Sequence, residues 1–256
     1  MSRKIIRALS SFSLLVAVLV VWELVAGTIY PRFNPTSVNI FPPPTAVIKI
    51  FWDLLVSGEL ATHTFASMLR VAVGFTIAAL IAIPLGLSMG AWPRWGEQMR
   101  VVIEVLRPIP PFAWIPFGLL WFGVGPEQTV FVIVISSVFP ILMNTVAGVE
   151  QVEPVLKRSA LSLGATKFRL FIAVILPRAL PQIIVGLRIG LGFAWMVLVA
   201  SELIGSTAGL GYLILDSRNL GLPSLAFMGM FVIGVIGYLL DAGMRWLERV
   251  MLPWNA

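Results

Sequence analysis

Long apolar runs separated by short polar stretches dominate the chain. A helix needs about 20 mainly apolar residues to cross the hydrocarbon core of a bilayer. The pattern therefore predicts six transmembrane helices in an all-α polytopic membrane protein. The spans are predicted at Leu14–Ile29, Ser67–Gly90, Met99–Phe122, Thr129–Val149, Leu180–Ile204 and Leu225–Leu240.

The third predicted span contains an internal break. Met99–Arg107 is amphipathic, prolines interrupt the pattern at Pro108–Pro111, and the apolar run resumes at Phe112–Phe122. Prolines free backbone carbonyls, which a membrane tolerates only where they face protein or a water-filled cavity. Two other spans carry Gly-x-x-x-Gly pairs, and small residues at that spacing allow close helix contact. We expect helix packing at Gly86 and Gly90, and at Gly186, Gly190 and Gly192.

The most polar long stretch is Gln151–Pro177, between the fourth and fifth predicted spans. Its lysines and arginines place it in the cytoplasm, because loops rich in these residues stay on that side. Apolar residues recur within it at helical spacing, and Gly164 is suited to end that helix before Ala165 and Thr166 begin the next. A short helix with an apolar stripe outside the membrane indicates a partner protein.

The remaining segments complete a topology with both termini in the cytoplasm. Prolines mark Tyr30–Pro44 as a link, and Thr45 is suited to cap a short helix at the outer interface. We expect an N-terminal part, residues 1–66, with the first span and an outer-interface helix, and a core membrane domain, residues 67–250, with a cytoplasmic loop at 150–178. A cleaved signal peptide is the alternative interpretation of the first apolar run. Glu23 within that run must face protein or headgroups.

Composition narrows the chemistry. Charged residues make up 12% of the 256 residues, against about 25% in soluble domains. The net charge of +6 fits loops that face anionic lipid better than a nucleic-acid surface. The chain has no cysteine and one histidine, which excludes thiolate chemistry and a histidine metal cluster. No phosphate loop is present, because no lysine precedes Ser or Thr.

Gln151–Pro177 resembles the cytoplasmic loop of permease subunits of ATP-binding-cassette importers. That motif has Glu-Ala-Ala, a glycine after three residues, an isoleucine after nine more, and Leu-Pro after one more. The matching residues are Ser159-Ala160, Gly164, Val174 and Leu176-Pro177, and Arg158 stands at the glutamate position. Three further stretches resemble the nitrate/sulfonate/taurine importer family, and the taurine and alkanesulfonate permeases most. They are RPIPPFAWIPFGLLWFGVG from Arg107, GLRIGLG from Gly186 and LVASELIGSTAGLGYLI from Leu198.

The resemblance implies a type I importer fold like that of methionine permeases, in the bacterial inner membrane. It also implies a homodimer of permeases, two cytoplasmic subunits that bind ATP and magnesium, and an extracytoplasmic binding protein. This chain would then hold no cofactor of its own and would not be an enzyme. The ATPase-coupling residues it implies are Leu156, Arg158, Ser159, Ala160, Gly164, Ala165, Leu176 and Pro177.

The substrate-pathway candidates come from charge and aromatic character inside the predicted spans. A buried arginine costs about 2.5–3.5 kcal/mol on insertion scales, so Arg107 and Arg188 must face a partner or water. They either keep a pathway positive for a small anion such as a sulfonate, or they pair with acidic residues or carbonyls at helix contacts. The candidates are Glu104, Arg107, Trp114, Arg188 and Glu202. Nitrate, bicarbonate or another small nutrient is the alternative cargo; a secondary transporter and an intramembrane enzyme are the alternative classes.

Overall fold

The computed structural model describes residues 13–33, except residue 15, and residues 40–252. Over these ranges the chain is helical and forms no β-strand. The charged N-terminus and the last residues, from Pro253, lie outside the described residues. The helices are α1 (Val16–Phe33), α2 (Pro44–Ser57), α3 (Glu59–Ala91), α4 (Pro93–Leu106), α5 (Pro111–Phe122), α6 (Pro126–Glu150), α7 (Pro154–Ser162), α8 (Lys167–Gly205), α9 (Leu210–Asn219) and α10 (Pro223–Met251).

Proline determines where most of these helices begin. A proline at the first helical position loses no hydrogen bond, and its fixed φ already suits the helix. The prolines that interrupt the hydrophobic pattern therefore act mainly as starting points for new helices. Helices α2, α4, α5, α6, α7 and α10 all begin at a proline.

The predicted six crossings are confirmed when the bent pair of α4 and α5 is counted as one. Helices α1, α3, α6, α8 and α10 are each long and apolar enough to span a membrane. Between α4 and α5 the chain bends by 82°, at the proline cluster where the sequence predicts a break. The predicted second span, from near Ser67 to Gly90, lies within α3, which is 33 residues long and already begins at Glu59. At 1.5 Å per residue this helix measures about 50 Å, so its first turns extend beyond the hydrocarbon core.

Helix α6 is the centre of the fold, with α3 against one side and α8 against the other. Glycines bring these backbones together: a Cβ added at Gly86 would lie 2.7 Å from Thr145 Cβ, and one at Gly190 would lie 2.8 Å from Ile141 Cγ1. The predicted glycine contacts on α3 and α8 are therefore confirmed, and Gly90 and Gly186 approach α6 equally closely. Gly192 was wrongly included, because nothing lies within 4 Å of a Cβ built there.

Helix α1 is attached to the rest of the chain near its C-terminal half. The Glu23 carboxylate accepts hydrogen bonds from the hydroxyl of Thr45, at 2.9 Å, and from its backbone N–H, at 3.2 Å. Thr45 was predicted to cap α2, but Pro43 occupies the capping position instead. The ring of Trp22 packs, tilted, against that of Phe227 of α10, with the ring centroids 6.0 Å apart. The expected protein partner of Glu23 is thus the start of α2.

Candidate functional site

The short helix α7 ends in a hydrogen-bonded turn that depends on Gly164. The Gly164 N–H donates to the carbonyl of Leu161 and the Ala165 N–H donates to that of Ala160, both at 3.0 Å. This pair of bonds forms a Schellman motif, which needs a residue with positive φ just after the helix. Gly164 has φ +82°. The predicted helix end at Gly164 is confirmed, and Thr166 begins α8 by accepting the N–H of Arg169.

The surface of α7 and its flanks carries uncovered apolar side chains beside cationic ones. Arg158 and Ser159 are exposed, whereas Leu156 and Ala160 are half-buried against the rest of the chain. Val155, Leu163 and Phe168 are 65%, 88% and 74% exposed. Apolar side chains exposed to this degree outside a membrane are typical of a surface that another protein covers.

Leu176 and Pro177 lie where α8 changes its winding. Phe171–Ile175 forms a π-helical turn, and regular α-helix continues from Leu176. Proline inside an α-helix removes a hydrogen bond and clashes with the carbonyl of the preceding turn. The wider turn before Pro177 relieves that clash, so α8 continues as one helix from Lys167 through Pro177 to Gly205. The Leu-Pro pair therefore fits a continuous helix beside α7.

Arg107 opens onto a cavity of about 280 Å³ at the break between α4 and α5. Asn144 and Ser136 donate to carbonyls of their own helix, α6, at 2.8 Å each. In the part of the chain that the structure describes, Arg107 makes no ion pair. Its guanidinium therefore retains hydrogen-bond donors for a ligand. The cavity is lined by Arg107, Pro111, Ser136, Phe139, Pro140, Met143, Asn144, Ile189 and Phe193.

Arg188 lies on the α10 side of α8 and does not line this cavity. Its Nε donates to Asp241 Oδ1 at 2.7 Å, and its Nη1 lies 3.8 Å from Glu248 Oε2. Arg245 bonds the other oxygen of Asp241. Of the two expectations for Arg188, pairing with acidic residues at a helix contact is the one observed, and the carboxylates come from α10. The structure therefore separates Arg188 from Arg107.

Glu104 and Trp114 flank the break without closing the cavity. Glu104 is exposed on α4 and forms no ion pair with Arg107 over the described residues. Trp114 ends the first turn of α5, and its ring centroid lies 6.0 Å from that of Phe117. Its indole N–H is buried and has no acceptor among the described residues. Of the five pathway candidates, only Arg107 lines the cavity.

Glu202 belongs to a separate, fully buried group. Its carboxylate lies 2.5 Å from Arg70 Nη1 and accepts from the Ser67 hydroxyl at 2.8 Å. The Gly211 N–H donates to the same carboxylate at 2.9 Å. Nothing in the sequence analysis connected Arg70 with Glu202. The two residues are 132 positions apart in the sequence. Only the glycines that follow Glu202 indicate that the chain passes close to another segment there.

The family model of binding-protein-dependent transport system inner membrane components matches residues 82–252, more than half of the chain. The chain belongs to this family. A protein of Methanocaldococcus jannaschii named as an ABC transporter permease is 42% identical to this permease, over 92% of this chain and 88% of that protein. The taurine transport system permease protein of Escherichia coli is 36% identical, over 96% of this chain and 89% of that protein.

A solved structure shares the fold. The inward-facing MetNI methionine ABC transporter superposes with a TM-score of 0.66, over 79% of this permease and 98% of that chain. The sequence identity is 18%, so this likeness concerns the fold alone. The expected type I importer fold is therefore confirmed.

Membership in the family fixes several general properties of this permease. It is a multi-pass inner membrane subunit of an ABC importer of the nitrate/sulfonate/taurine type. Such permeases work with ATP-binding subunits and a substrate-binding protein, and they are not enzymes. ATP hydrolysis belongs to a separate subunit, in agreement with the lack of a phosphate loop.

Proposed function

We propose that the permease moves a small oxyanion, with an organic sulfonate such as taurine as the first candidate, by alternating access. The observation that carries this proposal is the unpaired Arg107 beside a cavity at the helix break. A guanidinium donates several hydrogen bonds in a planar fork that suits sulfonate and other oxyanions. Similarity to the taurine permease of Escherichia coli supports a sulfonate as cargo.

Nitrate is the second candidate, because the nitrate import permease of Synechocystis sp. is 33% identical over 98% of this chain. Bicarbonate permeases of cyanobacteria reach the same identity. All these cargoes are small oxyanions that an arginine fork can bind. The cavity supports a small oxyanion as the cargo. A transport assay must show whether it is a sulfonate, nitrate or bicarbonate.

The proposed assembly is a homodimer with two ATPase subunits, which hold ATP and magnesium, and a binding protein outside. Arg107 is exposed at a cavity whose rim residues Ile189 and Phe193 are 43% and 42% exposed. An arginine facing lipid at this depth is costly, so a second copy that covers the cavity supports the dimer. With α7 as the ATPase-coupling surface, both termini of the chain lie in the cytoplasm.

The coupling residues are proposed on α7 and the first part of α8. The exposed apolar side chains around α7 support docking of the ATPase there. The continuous helix α8 supports transmission of movement from that surface into the membrane. The division into residues 1–66 and a core of 67–250 stays a prediction, and α3 runs through its boundary.

The test is transport by the purified permease reconstituted with its ATPase and binding protein. ATP-dependent uptake of taurine, alkanesulfonates, nitrate and bicarbonate is measured in parallel, and sulfonate uptake is the expected result. Arg107→Gln should reduce turnover about tenfold, the effect of losing one charge-assisted hydrogen bond. Arg100→Gln removes a charge from the same helix away from the cavity and is the matched control. Equal turnover of Arg107→Gln and wild type would contradict a pathway role for Arg107.

A further inference from the structure

Side chains from two helices hold the peptide units that precede and begin α9. We call His63, Ser67 and Arg70 of α3, together with Glu202 of α8, the Glu202 cluster. Arg70 Nη1 donates to the carbonyl of Ala208 at 2.6 Å. The N–H groups of the next three residues donate to His63 Nδ1 at 3.1 Å, Ser67 Oγ at 2.9 Å and Glu202 Oε2 at 2.9 Å.

The carboxylate of Glu202 also lies at the N-terminus of α9. The first N–H groups of a helix lack partners within it and carry positive partial charge, so a carboxylate there is favourable. Two glycines allow the approach. A Cβ at Gly211 would lie 2.6 Å from the Val199 carbonyl oxygen, and any side chain at Gly209 would collide with Glu202.

Stability alone does not account for this arrangement. Glu202 is 0% and Arg70 8% exposed, and an apolar pair in place of a buried ion pair is often equally stable or more stable. The polar groups of the cluster bond the backbone of residues 208–211 as well as each other. They therefore fix the register of this segment against α3 and α8.

Helix α8 connects the cluster to the other end of the molecule. It runs without interruption from Lys167, beside α7, to Gly205, three residues after Glu202. At 39 residues its length is about 58 Å, longer than the hydrocarbon core. A segment fixed to Glu202 therefore moves with a helix whose opposite end lies next to the proposed ATPase surface.

We propose that the Glu202 cluster contains positioning residues that attach residues 206–222 to α8, so that binding-protein docking outside and ATPase movement inside are coupled. The inference rests on the proposed function, since it takes residues 206–222 to face outside. The cluster is distinct from the Arg107 cavity, and its residues do not line that cavity.

The test is the double variant Arg70→Met with Glu202→Met in the reconstituted transporter. An apolar pair leaves no buried charge unpaired, so the variant is expected to fold and to assemble with the ATPase. Its backbone segment 208–211 loses two partners, so stimulation of ATP hydrolysis by the binding protein should fall about tenfold or more. The control, Arg100→Met, breaks an exposed Arg–Glu pair of 2.7 Å whose side chains bond no backbone segment among the described residues. It should retain stimulation.

Hydrogen exchange separates positioning from general stability. In the cluster variant, the amides of residues 206–222 should exchange faster while those of α7 and α6 remain as in wild type. Stimulation equal to wild type in the cluster variant would overturn the inference. Absence of binding-protein stimulation in the wild type would overturn the proposed function instead.

A smaller substitution covers the case in which the double variant does not assemble. Ser67→Ala removes one donor to Glu202 and the acceptor of the Leu210 N–H. Ser137→Ala is the control, because Ser137 is equally buried and bonds the Gly190 carbonyl between α6 and α8. Ser67→Ala should reduce stimulation severalfold more than Ser137→Ala, and equal effects would contradict the inference.

Discussion

At the scale of single residues, Gly164 shows how backbone conformation determines a proposed functional surface. Nothing lies within 4 Å of a Cβ built at Gly164, so a larger residue meets no neighbour there. The restriction comes from φ +82°, which an L-residue adopts at a cost of about 1–2 kcal/mol. A substitution that avoids this conformation must undo the turn after α7.

Gly164→Leu should therefore abolish transport while the permease remains in the membrane. Leucine disfavours positive φ, so the Schellman bonds to Ala160 and Leu161 open and the proposed ATPase surface changes. Uptake and co-purification of the ATPase subunit are measured. Gly58→Leu is the control, because Gly58 has the same φ of +82° and equally open surroundings at the start of α3. Equal transport by both variants would show that the turn after α7 is not a coupling element.

The structural role of a residue was predictable from the sequence where its bonding partners lie only a few positions away along the chain. The turn at Gly164 uses bonds to residues three and five positions earlier, so the local pattern contains it. The ion pair of Glu202 was not predictable in this way, because its partner Arg70 is 132 positions away. Burial of a charge signals that a partner exists, but folding alone determines which partner it is.

At the scale of elements, prolines and apolar runs identify which segments are helical. Apolar runs do not mark where every helix begins. Pro126 and Pro223 mark true starts of spans. Helix α3 begins well before its apolar run, because Glu59–Ala66 continues the helix beyond the hydrocarbon core. Hydrophobicity measures contact with lipid and not helicity, so it misses helical turns in water.

Alanine should affect the stability of the permease differently at two neighbouring glycines of α8, because only one of them lies in a close helix contact. Gly190→Ala should destabilise the permease by about 1–3 kcal/mol, because the added methyl overlaps Ile141 of α6. Gly192→Ala should be neutral or stabilising by up to about 1 kcal/mol, because its site is open and alanine favours helix. The unfolding midpoint of the purified permease is measured. A lower midpoint for Gly192→Ala than for Gly190→Ala would refute the assigned α6–α8 contact.

At the scale of the whole molecule, the proposed orientation places α7 in the cytoplasm and residues 206–222 outside. The sequence predicted this arrangement from the positions of lysine and arginine. The polar residue Ser217 in this outer segment is unsuitable as a reporter of sidedness, because its side chain is fully buried. Asn219, two residues later, is exposed and replaces it as the reporter.

Single cysteines test the orientation, since the chain contains none. Cysteines at Ser159 and Arg94 should resist an impermeant thiol reagent applied to intact cells, whereas one at Asn219 should react. All three positions are exposed on the chain, so differences report the side of the membrane. Permeabilised cells serve as the control, and all three cysteines should react there. Reaction at Ser159 in intact cells would reverse the proposed topology.

The bend of 82° between α4 and α5 also has a consequence for biosynthesis. Neither half is a straight apolar helix of the length that the insertion machinery releases into lipid as an independent span. The break at Pro108 and Pro110 leaves carbonyls that lipid cannot satisfy. We therefore expect this region to wait at the translocon until α6 has been synthesised, and then to enter the bilayer with α6 as a hairpin. The bend would thus delay insertion of α4 and α5, so that they enter the bilayer together with α6.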